Sequence, residues 1–283
     1  MNSSYDDVVN IFFPQWQAGA HRDRIQLGAN HLRELLEPRA NFQTVMTRDN
    51  LELTVTDEVK GKSDLLEHLR SLRSMLKAEQ PKNLFVLGGD CGVSLLPITY
   101  LNARAESLAE KMAVVWLDAH ADINTPASSP SKHFHGMVLR SALGDGDADM
   151  LELAFKPITA DQVILIGARD LDLPESEFVT AHKIKRFSSR HALGVLEYLR
   201  TGGFSSVYVH LDFDAFDPTE IDFTRFPTAG GLSILVVADL LERLCSEFNV
   251  VGCALTECSP RDEAHWQSDH HKPESILAAL PVT

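Results

Sequence analysis

Short, nearly continuous apolar runs recur along the chain at Val8–Phe13, Leu84–Leu87, Ala113–Leu117, Val163–Ile166, Val207–Leu211 and Val250–Leu255. A strand with one wet face would alternate apolar and polar residues, so runs of this kind predict parallel strands buried on both sides. Between them, apolar positions take helical spacing over Arg22–Leu36, Asp64–Ala78, Leu95–Ala109, Arg190–Arg200, Ser233–Glu247 and Glu274–Leu280. Regular alternation of strand and helix predicts an α/β fold, a three-layer αβα sandwich around a mostly parallel sheet. Ser63-Asp64 supplies a start signal for the second helix and Gly202-Gly203 a stop for the fourth. The stretch Ala127–Lys132, rich in Ser and Pro, reads as a loop. No repeat or break in composition divides the chain, and residues 1–283 are expected to form one catalytic domain.

Charge narrows the partners. With 26 Lys and Arg against 40 Asp and Glu, the formal charge of −14 disfavours nucleic acid and anionic membrane surfaces. The opening Met-Asn-Ser-Ser-Tyr-Asp-Asp has no basic region leading into an apolar core, and no apolar stretch is long enough to span a bilayer. A cytoplasmic location is the expectation. The cysteines at 91, 245, 253 and 258 match neither a disulfide framework nor a zinc ribbon, and Cys245 and Cys253 read as small buried hydrophobes.

Four motifs carry the chemistry: Gly-Gly-Asp-Cys at 88–91, Asp-Ala-His-Ala-Asp at 118–122, Asp-Phe-Asp-Ala-Phe-Asp-Pro at 212–218 and Thr-Glu-Cys-Ser-Pro at 256–260. Three of them sit at the carboxyl ends of apolar runs, where open α/β sheets place their ligands. Alternation along an extended segment would bring Asp118, His120 and Asp122 out on one face of a strand end, and Asp212 and Asp214 likewise. Four carboxylates and an imidazole form a hard donor set, suited to Mn²⁺ and charged enough to hold two dications. Cys91 is the soft exception. A calcium loop beginning at Asp212 is excluded, because Phe216, Asp217 and Phe223 occupy the positions that need an oxygen donor, Gly and Glu. Asp217 reads as a turn residue ahead of Pro218, and His210, two positions before Asp212, as a supporting residue or a buried partner of the backbone. His265, His270 and His271 follow a polar stretch and read as surface residues.

Taken in order over roughly residues 80–260, these motifs resemble those of the ureohydrolase superfamily, the arginases, agmatinases and their relatives. The resemblance implies an eight-stranded sheet and a dinuclear manganese centre in a hydrolase of linear amidines. The first Mn²⁺ would take Cys91, Asp118, Asp122 and Asp212; the second would take Asp118, His120, Asp212 and Asp214. It further implies attack of metal-activated water on a guanidinium carbon, with Asp122 orienting the water and Glu257 pairing with the planar guanidinium. His135, in His-Phe-His-Gly at 133–136, would pass a proton to the departing amine. The loop Asp122–Pro126, with Ser131 and His135-Gly136, resembles the arginase version, which holds an α-amino acid through Asn124 and Ser131. Asp172 matches the carboxylate near the α-amino group, and Thr224 a threonine of the substrate loop. His133 stands where the pattern has asparagine.

Cys91 departs from the arginase pattern furthest. A thiolate adds negative charge to a centre already rich in carboxylates and weakens its Lewis acidity, whereas a protonated thiol ligates poorly and holds the first metal less firmly; either way hydrolysis of ordinary arginine should suffer. Nω-Hydroxy-L-arginine tolerates such a centre, because its N-hydroxyguanidine is less basic and the neutral form is more readily attacked. The arginase relatives with cysteine at this position cleave it to hydroxyurea and L-ornithine in antibiotic biosynthesis. That substrate is the expectation, with plain arginase or another guanidino or formimino ureohydrolase as the alternative and a metal-binding regulatory protein without catalysis as the non-enzyme alternative. A small guanidino amino acid is thus the expected partner, and the sequence leaves both a homo-oligomer, as in many relatives, and a monomer open as the assembly.

Overall fold

The computed structural model describes residues 8–19, 21–50 and 52–280; the N-terminal segment inspected above for a leader lies outside them. Its strands are β1 (Val8–Phe13), β2 (Phe42–Thr44), β3 (Val55–Thr56), β4 (Val59–Lys60), β5 (Asn83–Gly88), β6 (Met112–Leu117), β7 (Val163–Ile166), β8 (Lys185–Phe187), β9 (Ser206–Asp212) and β10 (Asn249–Thr256). Apart from the β3–β4 hairpin, all join one eight-stranded parallel sheet in the order β2-β1-β5-β10-β9-β6-β7-β8.

The helices are α1 (Arg22–Leu36), α2 (Lys62–Glu79), α3 (Leu95–Ser107), α4 (Val138–Ala142), α5 (Ala148–Leu153), α6 (Leu173–Ala181), α7 (Gly194–Thr201), α8 (Ile234–Glu247), α9 (Glu263–Asp269) and α10 (Glu274–Ala279). Side chains alternate across the sheet and feed two separate cores. Val114, Trp116 and Tyr208 meet Leu69 and Leu72 of α2 and Leu96 and Leu101 of α3 on one face. Val115, Leu117, Val209 and Leu211 meet Leu32 of α1, Leu199 of α7 and Leu240 of α8 on the other. Because both faces are covered, β6 and β9 are buried along their whole length. The result is the expected three-layer sandwich.

Three features differ from the periodicity. β2 and β8 are three-residue edge strands without a fully buried residue, too short and too polar to stand out as apolar runs. The segment expected as one helix over Arg190–Arg200 breaks into a 3₁₀ turn at Ser189–His191 and α7 from Gly194. The short helices α4, α5, α6 and α9 and the β3–β4 hairpin were not expected; α6 is opened by an Asp172–Glu175 capping box with Pro174 in its first turn.

Candidate metal centre

In the middle of the sheet the order is β5-β10-β9-β6, so the four motifs emerge side by side at the carboxyl edge. Gly88 ends β5, Thr256 ends β10, Asp212 ends β9, and Asp118 follows the last residue of β6.

The local backbone differs from the extended alternation expected for Asp118–Asp122. β6 stops at Leu117, the chain bends over Asp118–His120, and Asp122 adopts a left-handed φ of 53°. Asp214 leaves the strand altogether and lies in a 3₁₀ turn, Phe213–Ala215. The carboxylates therefore converge because turns redirect them. Each turn is fixed by a carboxylate of the cluster: Asp118 Oδ1 accepts the His120 N–H at 2.7 Å, Asp212 Oδ1 the Asp214 N–H at 2.6 Å, and Asp214 Oδ1 the Ala119 N–H at 2.9 Å. The indole N–H of Trp116 donates to Asp118 Oδ2 at 3.0 Å.

Two groups of donor atoms could each hold a cation. Cys91, Asp118, His210 and Asp212 have atoms within 4.8 Å of one another, and so do Asp118, His120 and Asp214. Asp118 is common to both. Within the first group the Cys91 thiol donates to Asp212 Oδ2 at 3.0 Å. His210 already uses both ring nitrogens, on Ser94 Oγ at 2.8 Å and Thr256 Oγ1 at 3.2 Å, and its ring stacks on Trp116. It serves there as a brace. Asp122 belongs to neither group; its Oδ2 is buried and has no hydrogen-bond partner.

The electrostatics fit a pair of cations. Burial first, then the neighbouring carboxylates, push Asp118 up to about 7 and Asp122 and Asp212 well above the ordinary carboxylate range. Among the described residues no Lys or Arg side chain forms an ion pair with these acids, though the Arg169 guanidinium, on the Asp214 carbonyl at 2.8 Å, feels their charge; His120 Nδ1, at 3.0 Å from Asp214 Oδ2 and 3.4 Å from Asp118 Oδ1, is the cation in direct contact. Burial works against the His120 imidazolium, but hydrogen bonds to Asp118 and Asp214 outweigh it and keep the ring charged. An orphaned buried oxygen within crowded, uncompensated carboxylates is what divalent ions relieve. The same burial and the same acids push the Cys91 thiol well above its usual value. A third acidic group, Asp57, Asp147 and Asp149, surrounds the Lys62 ammonium at 2.6–2.7 Å and is thereby already compensated.

Above the centre lies a cavity of about 260 Å³, lined by His120, Asp122, Asn124, Ser131, His133, His135, Asp172, Asp212, Asp214, Thr224 and Glu257 among others. Cys91 and Asp118 lie beneath it. Glu257, at a left-handed φ of 60°, accepts the Cys91 N–H at 3.3 Å and faces His135 Nδ1 at 3.3 Å. Burial would lower the His135 pKa, but the hydrogen bond and charge of Glu257 raise it overall. Asn124 donates to Asp172 Oδ2 at 3.1 Å and accepts from Ser128 Oγ at 2.7 Å. Ser131 Oγ lies 3.5 Å from Ser129 Oγ, and Thr224 Oγ1 accepts the Phe226 N–H at 3.1 Å. Burial, then His135, Lys60 and His21, lower His133 to about 4, and its Nδ1 is buried without a partner.

Sequence reasoning passed over several residues here. Asp90, inside the first motif, accepts from Gln15 Nε2 and the N–H groups of Ala18, Gly19 and Gly92, tying the β1 and β5 loops together under Glu257. Glu175 of the α6 capping box accepts the Ile123 N–H at 3.1 Å, and its spacing from Asp172 was the available signal. His21 and Phe226 line the cavity with no motif to mark them. Outside the site, Asp217 accepts from Thr219, Gly230 and Gly231, the turn role expected of it, and all four cysteines are free thiols.

Residues 7–278 match the Arginase family. The arginase of Staphylococcus aureus (strain COL) is 33% identical over 233 residues, covering 78% of this chain and 74% of that protein. The arginase of Bacillus subtilis (strain 168) is 27% identical over 280 residues, covering 90% and 91%. Among solved structures, Entamoeba histolytica arginase, in complex with L-ornithine, superposes with a TM-score of 0.84 at 24% identity, covering 96% of this chain and 98% of that one.

Proposed function

The chain belongs to the arginase family, metal-dependent hydrolases of guanidino compounds, and from that premise we propose that it is an Nω-hydroxy-L-arginine amidinohydrolase working with two Mn²⁺. The products are hydroxyurea and L-ornithine. The reading rests on the Cys91 thiol, which is buried and donates to Asp212 at 3.0 Å, with burial first and the surrounding acids second raising its pKa in the metal-free protein.

Sulfur is a soft donor, and while protonated a weak one, for a hard ion, so the first cation is held less firmly and the centre favours the more readily attacked substrate. Bound Mn²⁺ ions, with Asp118, Asp122, Asp212, Asp214, His120 and Cys91 as their ligands, would supply water of lowered pKa near neutrality. The chain's own groups do the rest. Asp122 Oδ2, free of any partner, accepts a hydrogen bond from the attacking water and aims it at the guanidino carbon. Glu257 presents a carboxylate edge to the planar guanidino group, the geometry of a paired hydrogen bond. His135 faces Glu257 through Nδ1, which leaves Nε2 to hand a proton to the departing ornithine amine. At the outer end, Asp172 receives the α-amino group, with Asn124, Ser131, His133 and Thr224 around the amino-acid moiety. L-Arginine is the second reading, favoured by the relatives, which are named arginases.

Steady-state rates on both substrates with Mn²⁺ separate the readings. Higher kcat/KM on Nω-hydroxy-L-arginine with release of hydroxyurea is expected, and a clear preference for L-arginine overturns the proposal. Cys91→His should then shift the ratio toward L-arginine; an unchanged ratio would remove Cys91 as its cause.

A further inference from the structure

The residues that line the cavity are nearly all of polar type, with carboxylates, imidazoles, hydroxyls and Asn124. Its substrate class is not wholly polar: a guanidino amino acid carries an apolar methylene stem between two polar ends. Among the described residues lining the cavity, only Phe226 and Pro130 have wholly apolar side chains. Phe226 is 42% exposed, so its ring is open to whatever enters the cavity. Its centroid lies 6.0 Å from the rings of both His120 and His135, edge-on to the first and tilted 34° to the second. The ring therefore stands beside the reacting end, on the same loop as Thr224, which also lines the cavity.

The loop carrying it is built to hold that position. Buried Phe223 anchors the loop from below against Trp266, with ring centroids 5.2 Å apart. The Arg24 guanidinium holds the Thr224 carbonyl at 3.1 Å, and Thr224 Oγ1 takes the Phe226 N–H. On the far side Arg169 holds the carbonyls of Thr228 and Ala229, and Asp217 caps Gly230 and Gly231. An apolar ring fixed by polar bonds on both flanks, over a polar cavity, is placed for a ligand and not for the core.

We infer that Phe226 is a specificity-determining residue whose ring packs on the methylene stem of the substrate and so selects guanidino amino acids by chain length. This rests on the family's guanidino chemistry but not on the choice between the two substrates, which share the same stem. The test compares wild type, Phe226→Ala and Phe226→Leu, fully loaded with Mn²⁺, on Nω-hydroxy-L-arginine, on L-arginine and on their homologues one methylene shorter and longer. Binding of L-ornithine by calorimetry adds a readout independent of turnover.

Phe226→Ala should lower kcat/KM about tenfold through KM, as expected for re-exposing roughly two methylenes, and should weaken L-ornithine binding by a similar factor. Discrimination among the homologues should shrink with it, and Phe226→Leu should restore most of both. Unchanged KM, L-ornithine affinity and length discrimination in Phe226→Ala would overturn the inference, and so would a fall confined to kcat. Failure of the hydroxyarginine reading appears instead in the wild-type substrate ratio. The ring's exposure predicts melting temperatures close to wild type for both variants, so a loss of binding will not reflect unfolding.

Discussion

Asp122 Oδ2 is buried in a cluster of acids with no partner at all. In the metal-free protein that oxygen costs stability, because burial and the charges of Asp118 and Asp214 disfavour the ionised carboxylate. A carboxyl whose pKa is raised on folding stabilises the fold below its ordinary pKa of 3.8 and loses that contribution as the pH rises. Asp122→Asn should therefore raise the melting temperature of the metal-free protein by about 2–4 °C, more at pH 8 than at pH 5. The order should reverse once Mn²⁺ is added, and hydrolysis should collapse. Thermal melts with chelator and with Mn²⁺ check both signs; a variant less stable than wild type under chelation would contradict the assignment. The identities of Asp118, His120, Asp122, Asp212 and Asp214 could be read from the sequence, since paired acids directly after buried runs have few other reasons to be there. The backbone route by which they converge could not, because the left-handed turn at Asp122 and the 3₁₀ turn at Asp214 replace the extended alternation and are tied by hydrogen bonds among the same carboxylates.

At the scale of elements, α2 is coupled to the loops beneath the site through His68. Its Nε2 accepts the Arg48 N–H at 2.9 Å, so Nδ1 carries the proton and donates to Gln15 Oε1 at 3.3 Å, and Gln15 in turn holds Asp90. Burial lowers His68 from 6.5 to about 4. The folded state thus binds this proton less readily than the unfolded chain, and the ring's contribution, complete above pH 6.5, is lost as the pH falls toward 4. His68→Leu should cost about 1–3 kcal/mol near neutrality by stranding two polar partners, and its deficit against wild type should narrow on acidification. Urea unfolding at pH 7 and pH 5 measures this; a gap independent of pH would sink it. Close backbone packing works at the same scale: a Cβ on Gly28 of α1 would lie 2.0 Å from the Cys258 carbonyl, so that helix abuts the segment carrying Glu257. The buried strands and long helices were readable from periodicity. The edge strands and α6 were not, because three half-exposed residues carry little apolar signal and α6 owes its start to a capping box beside the site.

Across the whole molecule, one parallel sheet delivers four motifs, separated in sequence by up to about 170 residues, to four neighbouring strand ends. The two cores beneath them make the edge rigid enough to hold like charges together. A surplus of acid over base, 40 against 26, suits a protein whose centre is completed by cations. The decisive measurement is anomalous scattering near the manganese edge from crystals of the protein grown with Mn²⁺. Two peaks are expected, one in contact with Cys91 Sγ and Asp212, the other with His120 and Asp214, and Asp118 reaching both. A single peak, or two that leave Cys91 without metal contact, would contradict the binuclear centre with a cysteine ligand.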